Sequence, residues 1–174
     1  MKKSIYLFIA VVLTTISVKG QDFNFAESQV KVWELAKQRT LEVAKVMPKD
    51  KYNYSPISSV KSFGQQMSHI ANSMLSMHAR FILGKSYSGK EKNASNMTKE
   101  QIIGDLEAAF DTVIRDMKAL SDTALQTTGK SHGAFPLTKW QSLLFMRDHI
   151  TNHRAKAVLY LRLNNITPPR YGFN

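Results

Sequence analysis

The sequence contains no cysteine. Disulfide staples, thiolate metal sites and a cysteine nucleophile are thereby excluded together, and any metal ion must be held by nitrogen and oxygen. Acidic residues are scarce: 13 Asp and Glu stand against 24 Lys and Arg, a formal charge of +11. A basic excess can signal nucleic acid. Here the basic residues are scattered, with no run of five or more, so nucleic acid is not an expected partner and the charge reads as solubility with some attraction for anionic ligands. Long hydrophobic runs are missing apart from Ile5 to Ile16, a stretch of about 12 residues that is too short to span a bilayer. What remains is a chain of 174 residues, 43% apolar, enough for one domain with a real core and too apolar for disorder.

That one run has the layout of an export signal. Met1-Lys2-Lys3 is a basic leader, Ile5 to Ile16 the apolar segment, and Val18-Lys19-Gly20 places small side chains ahead of a cut before Gln21. Residues 1–20 are therefore expected to be a signal peptide and 21–174 the mature domain. An uncleaved anchor is the alternative. Removal of residues 1–20 takes away Lys2, Lys3 and Lys19 and no acid, which lowers the formal charge from +11 to +8. No later segment is apolar enough for stable membrane insertion, so a periplasmic or secreted bacterial protein is expected.

Beyond Gln21 the apolar residues recur at three- and four-residue steps, the period of an amphipathic helix. A first helix is expected over Phe25 to Val46, stopped by Pro48 and Asp50. A second runs from Ser59 to Leu83, with Phe63, Met67, Ile70, Met74, Met77 and Phe81 as its apolar stripe and Gly84 as its end. The methionines read as core filling rather than as a ligand groove. After a long loop over 84–97, Thr98 and Gln101 form a capping box, and a third helix is expected to Leu125. Residues 127–137 are a second loop. Thr138 caps a fourth helix that runs to Leu163, and Pro168-Pro169 closes the fold. With no alternating strand pattern, the expectation is all-α: a four-helix bundle around one core, its connections long enough for one to cross an end.

Five histidines carry the chemistry: His69, His78, His132, His149 and His153. His149 and His153 are four apart, which puts both imidazoles on one helix face one turn apart, within reach of a single ion. Structural or surface histidines share this spacing. The pair is not a His-Glu-x-x-His protease motif, because Ile150 stands where its Glu would be and Thr151 supplies no carboxylate either. His69 interrupts the apolar stripe between Met67 and Ile70, either as a third ligand or as a satisfied core histidine. His78 lies about 900° of rotation further on and is expected at the surface, while His132 sits in a Gly-flanked loop. Gln65, Asn72 and Asn152 are the candidates for polar support of the ligands.

The order of one His in helix two, a long loop, helix three, then His149-x-x-x-His153-Arg154 resembles the DinB-like (DinB/YfiT) metal-binding superfamily. The segment Ser62 to Ala71 and the ending Leu163 to Tyr171 are similar to that family as well. The resemblance spans about Phe25 to Tyr171. It implies an up-down-down-up bundle with the crossover between helices two and three, and a homodimer. It also implies a divalent ion, zinc or nickel, on His69, His149 and His153. Three imidazoles leave a coordination position open, as catalytic sites do. Two functions are therefore expected to compete: a metal-dependent thiol transferase or hydrolase acting on a small molecule, and a metal- or small-ligand-binding module without turnover. Asp148, rotated about 100° from His149, is poorly placed as a general base and leans toward the second.

Overall fold

The computed structural model describes residues 24–129 and 136–171. The expected signal peptide and His132 lie outside these residues. Helix α1 spans Phe25–Val46 and opens where the Asn24 side chain accepts from the Glu27 amide at 2.8 Å. Trp33, Ala36, Leu41 and Ala44 are buried along one stripe. The connection that follows is tied down by Tyr52, whose hydroxyl donates to the Ala44 carbonyl at 2.6 Å.

Helix α2 spans Phe63–Met77, starting four residues later than Ser59. The reason is a second capping box: the Ser62 hydroxyl accepts from the Gln65 amide, and the Gln65 side chain accepts from the Ser62 amide at 2.8 Å. The Phe63 and Gly64 amides meanwhile donate to the Tyr54 and Tyr52 carbonyls, which ties the preceding run of turns and bends to the start of α2. Replacing Ser62 by alanine is expected to cost about 1 kcal/mol, the usual worth of such a cap; a denaturation midpoint equal to that of the parent protein would contradict this role.

The C-terminal end of α2 winds into a π turn, His78–Ile82, and Gly84 ends it at φ +66°, a conformation glycine adopts without strain. His78 does point away from His69, but it is not a surface residue. That face of α2 packs on the third helix, leaving His78 only 3% exposed with its Nε2 3.6 Å from Asp116.

Helix α3, Lys99–Lys118, begins at the expected Thr98–Gln101 box. It does not continue to Leu125. Ser121 turns extended and caps a separate short helix, α4, Asp122–Gln126, by accepting from the Ala124 amide, while Leu125 still reaches the core. A serine inside an otherwise helical pattern competes for backbone donors, and here it wins. Thr138 caps α5, Lys139–Leu163, in a third capping box with Gln141.

Among the described residues no β-strand occurs, and no helix is long and apolar enough to cross a membrane. Helices α1 and α2 each pack chiefly against α3 and α5. The core between them holds Trp33, Phe63, Met67, Ile70, Leu106 and Phe110, all fully buried. Trp33 meets Phe110 edge-on at 6.3 Å. Burying each such side chain contributes roughly 1.5–3 kcal/mol. Met67, Met74 and Met77 lie in this core as filling.

Candidate metal centre

Packing of α2 on α5 brings three histidines together. His69 comes from α2, and His149 and His153 from successive turns of α5. Their ring centroids stand 4.5 Å (His69–His153), 4.6 Å (His149–His153) and 5.4 Å (His69–His149) apart. One nitrogen from each lies within 4.8 Å of the others, so the group is able to hold a metal ion.

The hydrogen bonds settle which nitrogens are available. His69 Nδ1 is 3.0 Å from Glu91 Oε1. A carboxylate only accepts, so Nδ1 carries the proton and Nε2 is left for a ligand. His153 Nδ1 is 2.6 Å from Gln66 Oε1. The Gln66 amide nitrogen faces two acceptors, the Lys61 carbonyl and the Tyr160 hydroxyl, which sets its carbonyl toward His153. His153 Nε2 is likewise left without the proton. His149 Nε2 is buried and has no hydrogen-bond partner among the described residues. A buried acceptor or donor without a partner costs about 1–3 kcal/mol, and a metal ion would remove that cost.

Electrostatics favours the neutral, ligating form. Burial, then the neighbouring His69 and His149 rings, then Lys156 and Lys61 push the His153 pKa down to about 4. Burial first, with His69 and Lys156 adding to it, also lowers His149, against a small opposing pull from Asp148. Both imidazoles therefore hold an unprotonated nitrogen at neutral pH. An orphaned nitrogen on His149, three convergent imidazoles and the hydrogen-bonded Nδ1 atoms of His69 and His153 all fit a divalent ion.

The supporting residues differ from those expected. Gln65 is spent on the Ser62 cap, Asn72 accepts from the Tyr87 hydroxyl at 3.1 Å, and Asn152 is exposed. Gln66 and Glu91 take their place. The Ser62-x-x-Gln65 spacing is a readable capping box that assigns Gln65 elsewhere and leaves Gln66, one turn before His69, for the interior. Glu91 is the one acid in the loop 84–97, but nothing local places it against His69; it also faces Lys61 at 3.9 Å. Asp148 is exposed. His153 and Gln66 form part of the wall of a cavity of about 480 Å³, otherwise apolar at Pro56, Ile57, Val60 and Leu159 and flanked by Lys61 and Lys156.

Replacing Gln66 by leucine frees the His153 tautomer and is expected to weaken metal binding about 10–100-fold, the usual effect of losing such a partner. Competition against a chromophoric chelator measures it, and an unchanged affinity would remove Gln66 from the site.

The DinB family matches over residues 21–172. No curated protein matches the chain. Among solved structures, a DinB-like protein from Bacillus cereus is 15% identical with a TM-score of 0.72, over 84% of this chain and 97% of that one. A DinB-like protein from Bacillus subtilis is 18% identical with a TM-score of 0.68, over 83% and 96%. A conserved protein from Enterococcus faecalis is 17% identical with a TM-score of 0.56, over 81% and 97%. At these identities the structures share the fold.

Proposed function

The chain belongs to the DinB family, and on that premise we propose that it is an exported metalloprotein holding one divalent ion, zinc or nickel, on Nε2 of His69, His149 and His153. The observation that carries this reading is the buried, unpartnered Nε2 of His149, whose ring stands 4.6 Å from that of His153 and 5.4 Å from that of His69. Three imidazole nitrogens without thiolates suit either metal, and availability decides between them. A bound ion would supply Lewis acidity toward an oxygen or sulfur nucleophile at its open position. The residues around it do the rest. Glu91 and Gln66 hold the His69 and His153 rings in the ligating tautomer. The exposed apolar residues of the adjoining cavity would take the apolar part of a small-molecule substrate, and Lys61 and Lys156 favour one with negative charge. This is the arrangement of a metal-dependent transferase or hydrolase, working as a homodimer outside the cytoplasm.

One observation favours the alternative, a metal- or small-ligand-binding module without turnover. Glu91, the carboxylate hydrogen-bonded within the cluster, is engaged by His69 and Lys61, and Asp148 is exposed. Two measurements separate the readings. Metal-free protein incubated with zinc or nickel should take up one ion per chain and melt higher. The loaded protein should then accelerate hydrolysis of model esters, or addition of a thiol to an electrophile, above the metal-free rate. Uptake without acceleration selects the binding module; less than about a tenth of an ion per chain at a hundredfold excess over a micromolar dissociation constant sinks both.

A further inference from the structure

Helix α5 has a second face. While His149 and His153 look toward α2, Arg154 turns toward α1 and is only 5% exposed. Its guanidinium donates to the Ala36 carbonyl at 3.4 Å, to the Thr40 hydroxyl at 3.2 Å and to the Thr151 hydroxyl at 3.4 Å. All three acceptors are neutral, and the bonds are long for N–H···O. Among the described residues no carboxylate forms an ion pair with Arg154. Its other polar neighbour is the Tyr171 hydroxyl, while Arg39 and Arg147 repel it. A buried charge is ordinarily paired.

Arg154 lies in the wall of a cavity of about 630 Å³ between α1, α5 and the C-terminal segment. Arg39, Arg162 and Arg170 line the same cavity, and Arg39 stacks over the Tyr171 ring at 4.6 Å. Leaving aside Arg39, which is already engaged, the lining sets one carboxylate, Glu42, against Arg154, Arg162 and Arg170, and Glu42 also accepts from Gln38 at 2.9 Å. The rest of the wall is largely apolar, at Val43, Ala155, Val158, Pro168 and Pro169. Its volume falls in the range of small-molecule sites, about 300–1,000 Å³.

We propose that this cavity is a binding site, separate from the histidine cluster, for a small carboxylate with an apolar body. The carboxylate would meet the arginines, whose flat forks match its two oxygens, and supply the counter-charge Arg154 lacks. The body would lie along Val43, Val158 and Pro168. A phosphate would satisfy the arginines but leave this apolar wall wet.

Sodium decanoate is a direct probe, titrated calorimetrically into the mature chain, with decanol, inorganic phosphate and phosphatidylglycerol vesicles as comparison ligands. Decanoate should bind saturably at one site per chain with a dissociation constant below about 1 mM. Decanol should bind at least about tenfold more weakly, and phosphate should not displace decanoate. The double variant Arg162→Ala/Arg170→Ala, both positions exposed and so compatible with folding, should weaken decanoate at least about tenfold, with an unchanged far-ultraviolet circular dichroism spectrum. Absence of saturable binding, equal affinity for decanol, displacement by phosphate, an undiminished double variant, or association with vesicles alone would each overturn the proposal.

Discussion

Replacing His149 by alanine lowers the affinity for zinc or nickel by more than about 100-fold and abolishes the thermal stabilisation that the ion confers. Loss of a residue that merely orients a ligand costs about 10–100-fold, and His149 is one of the three proposed donors, so its removal should cost more. At a hundredfold excess over the dissociation constant, a bound ion stabilises the native state by about 2.7 kcal/mol. For a chain of this size that is a rise of about 5–10 °C. After a further hundredfold loss of affinity, the same metal concentration leaves a shift of less than about 2 °C. The metal-free proteins should differ far less. Of the two ring nitrogens lost, Nε2 is buried with no partner, and deleting it removes a desolvation cost along with the packing of the ring. His78→Gln provides the contrast. His78 is buried beside Asp116 on the α3-facing side of α2, so its loss changes absolute stability and leaves the metal-induced shift intact. Metal content and melting temperature, measured with and without added ion, report both. A His149→Ala protein that still takes up one ion per chain with parental affinity would refute the ligand assignment.

Where the sequence is informative, the information is local. Helices α1 and α5 are legible because their ends are written in adjacent residues: Pro48 after Val46, Thr138 before Lys139. The four-residue spacing of His149 and His153 fixes their shared face from helix geometry alone. The departures occur where a local competitor or a distant partner decides. Ser62 and Ser121 cap helices inside stretches whose apolar period continues through them. The apolar stripe carries Phe81 into the core, but not the π turn that delivers it. His78 shows the limit most plainly. Its helical phase is legible, yet phase says only which way a side chain points; whether water or another helix lies there depends on α3. Glu91 is similar, because a 14-residue loop can return to α2 anywhere, and only the folded chain sets it on His69.

Acid should destabilise the protein well above the range in which ordinary carboxylates titrate. In the unfolded chain a histidine titrates near pH 6.5. In the folded protein burial and the adjacent rings hold His153 down to about 4, and burial lowers His78 as well, with Asp116 opposing. Between those values the unfolded chain binds protons that the folded one refuses. Stability is therefore fully present above about pH 6.5 and is lost as the pH falls toward 4. For the metal-free protein the loss is on the order of 2 kcal/mol, after discounting for water that still reaches the rings. That corresponds to about 4–8 °C in melting temperature between pH 7.5 and 4.5. With zinc or nickel present the fall should be steeper, because protons then also compete with the ion for three imidazoles and its stabilisation vanishes with its release. The two curves, well separated at pH 7.5, should converge by about pH 4.5. Melting temperatures at half-unit intervals with and without metal would test both parts. A metal-free curve that stays flat over this range would mean that His153 and His78 are accessible to protons in the native state. Curves that remain apart at pH 4.5 would mean that the ion is held by donors other than imidazole.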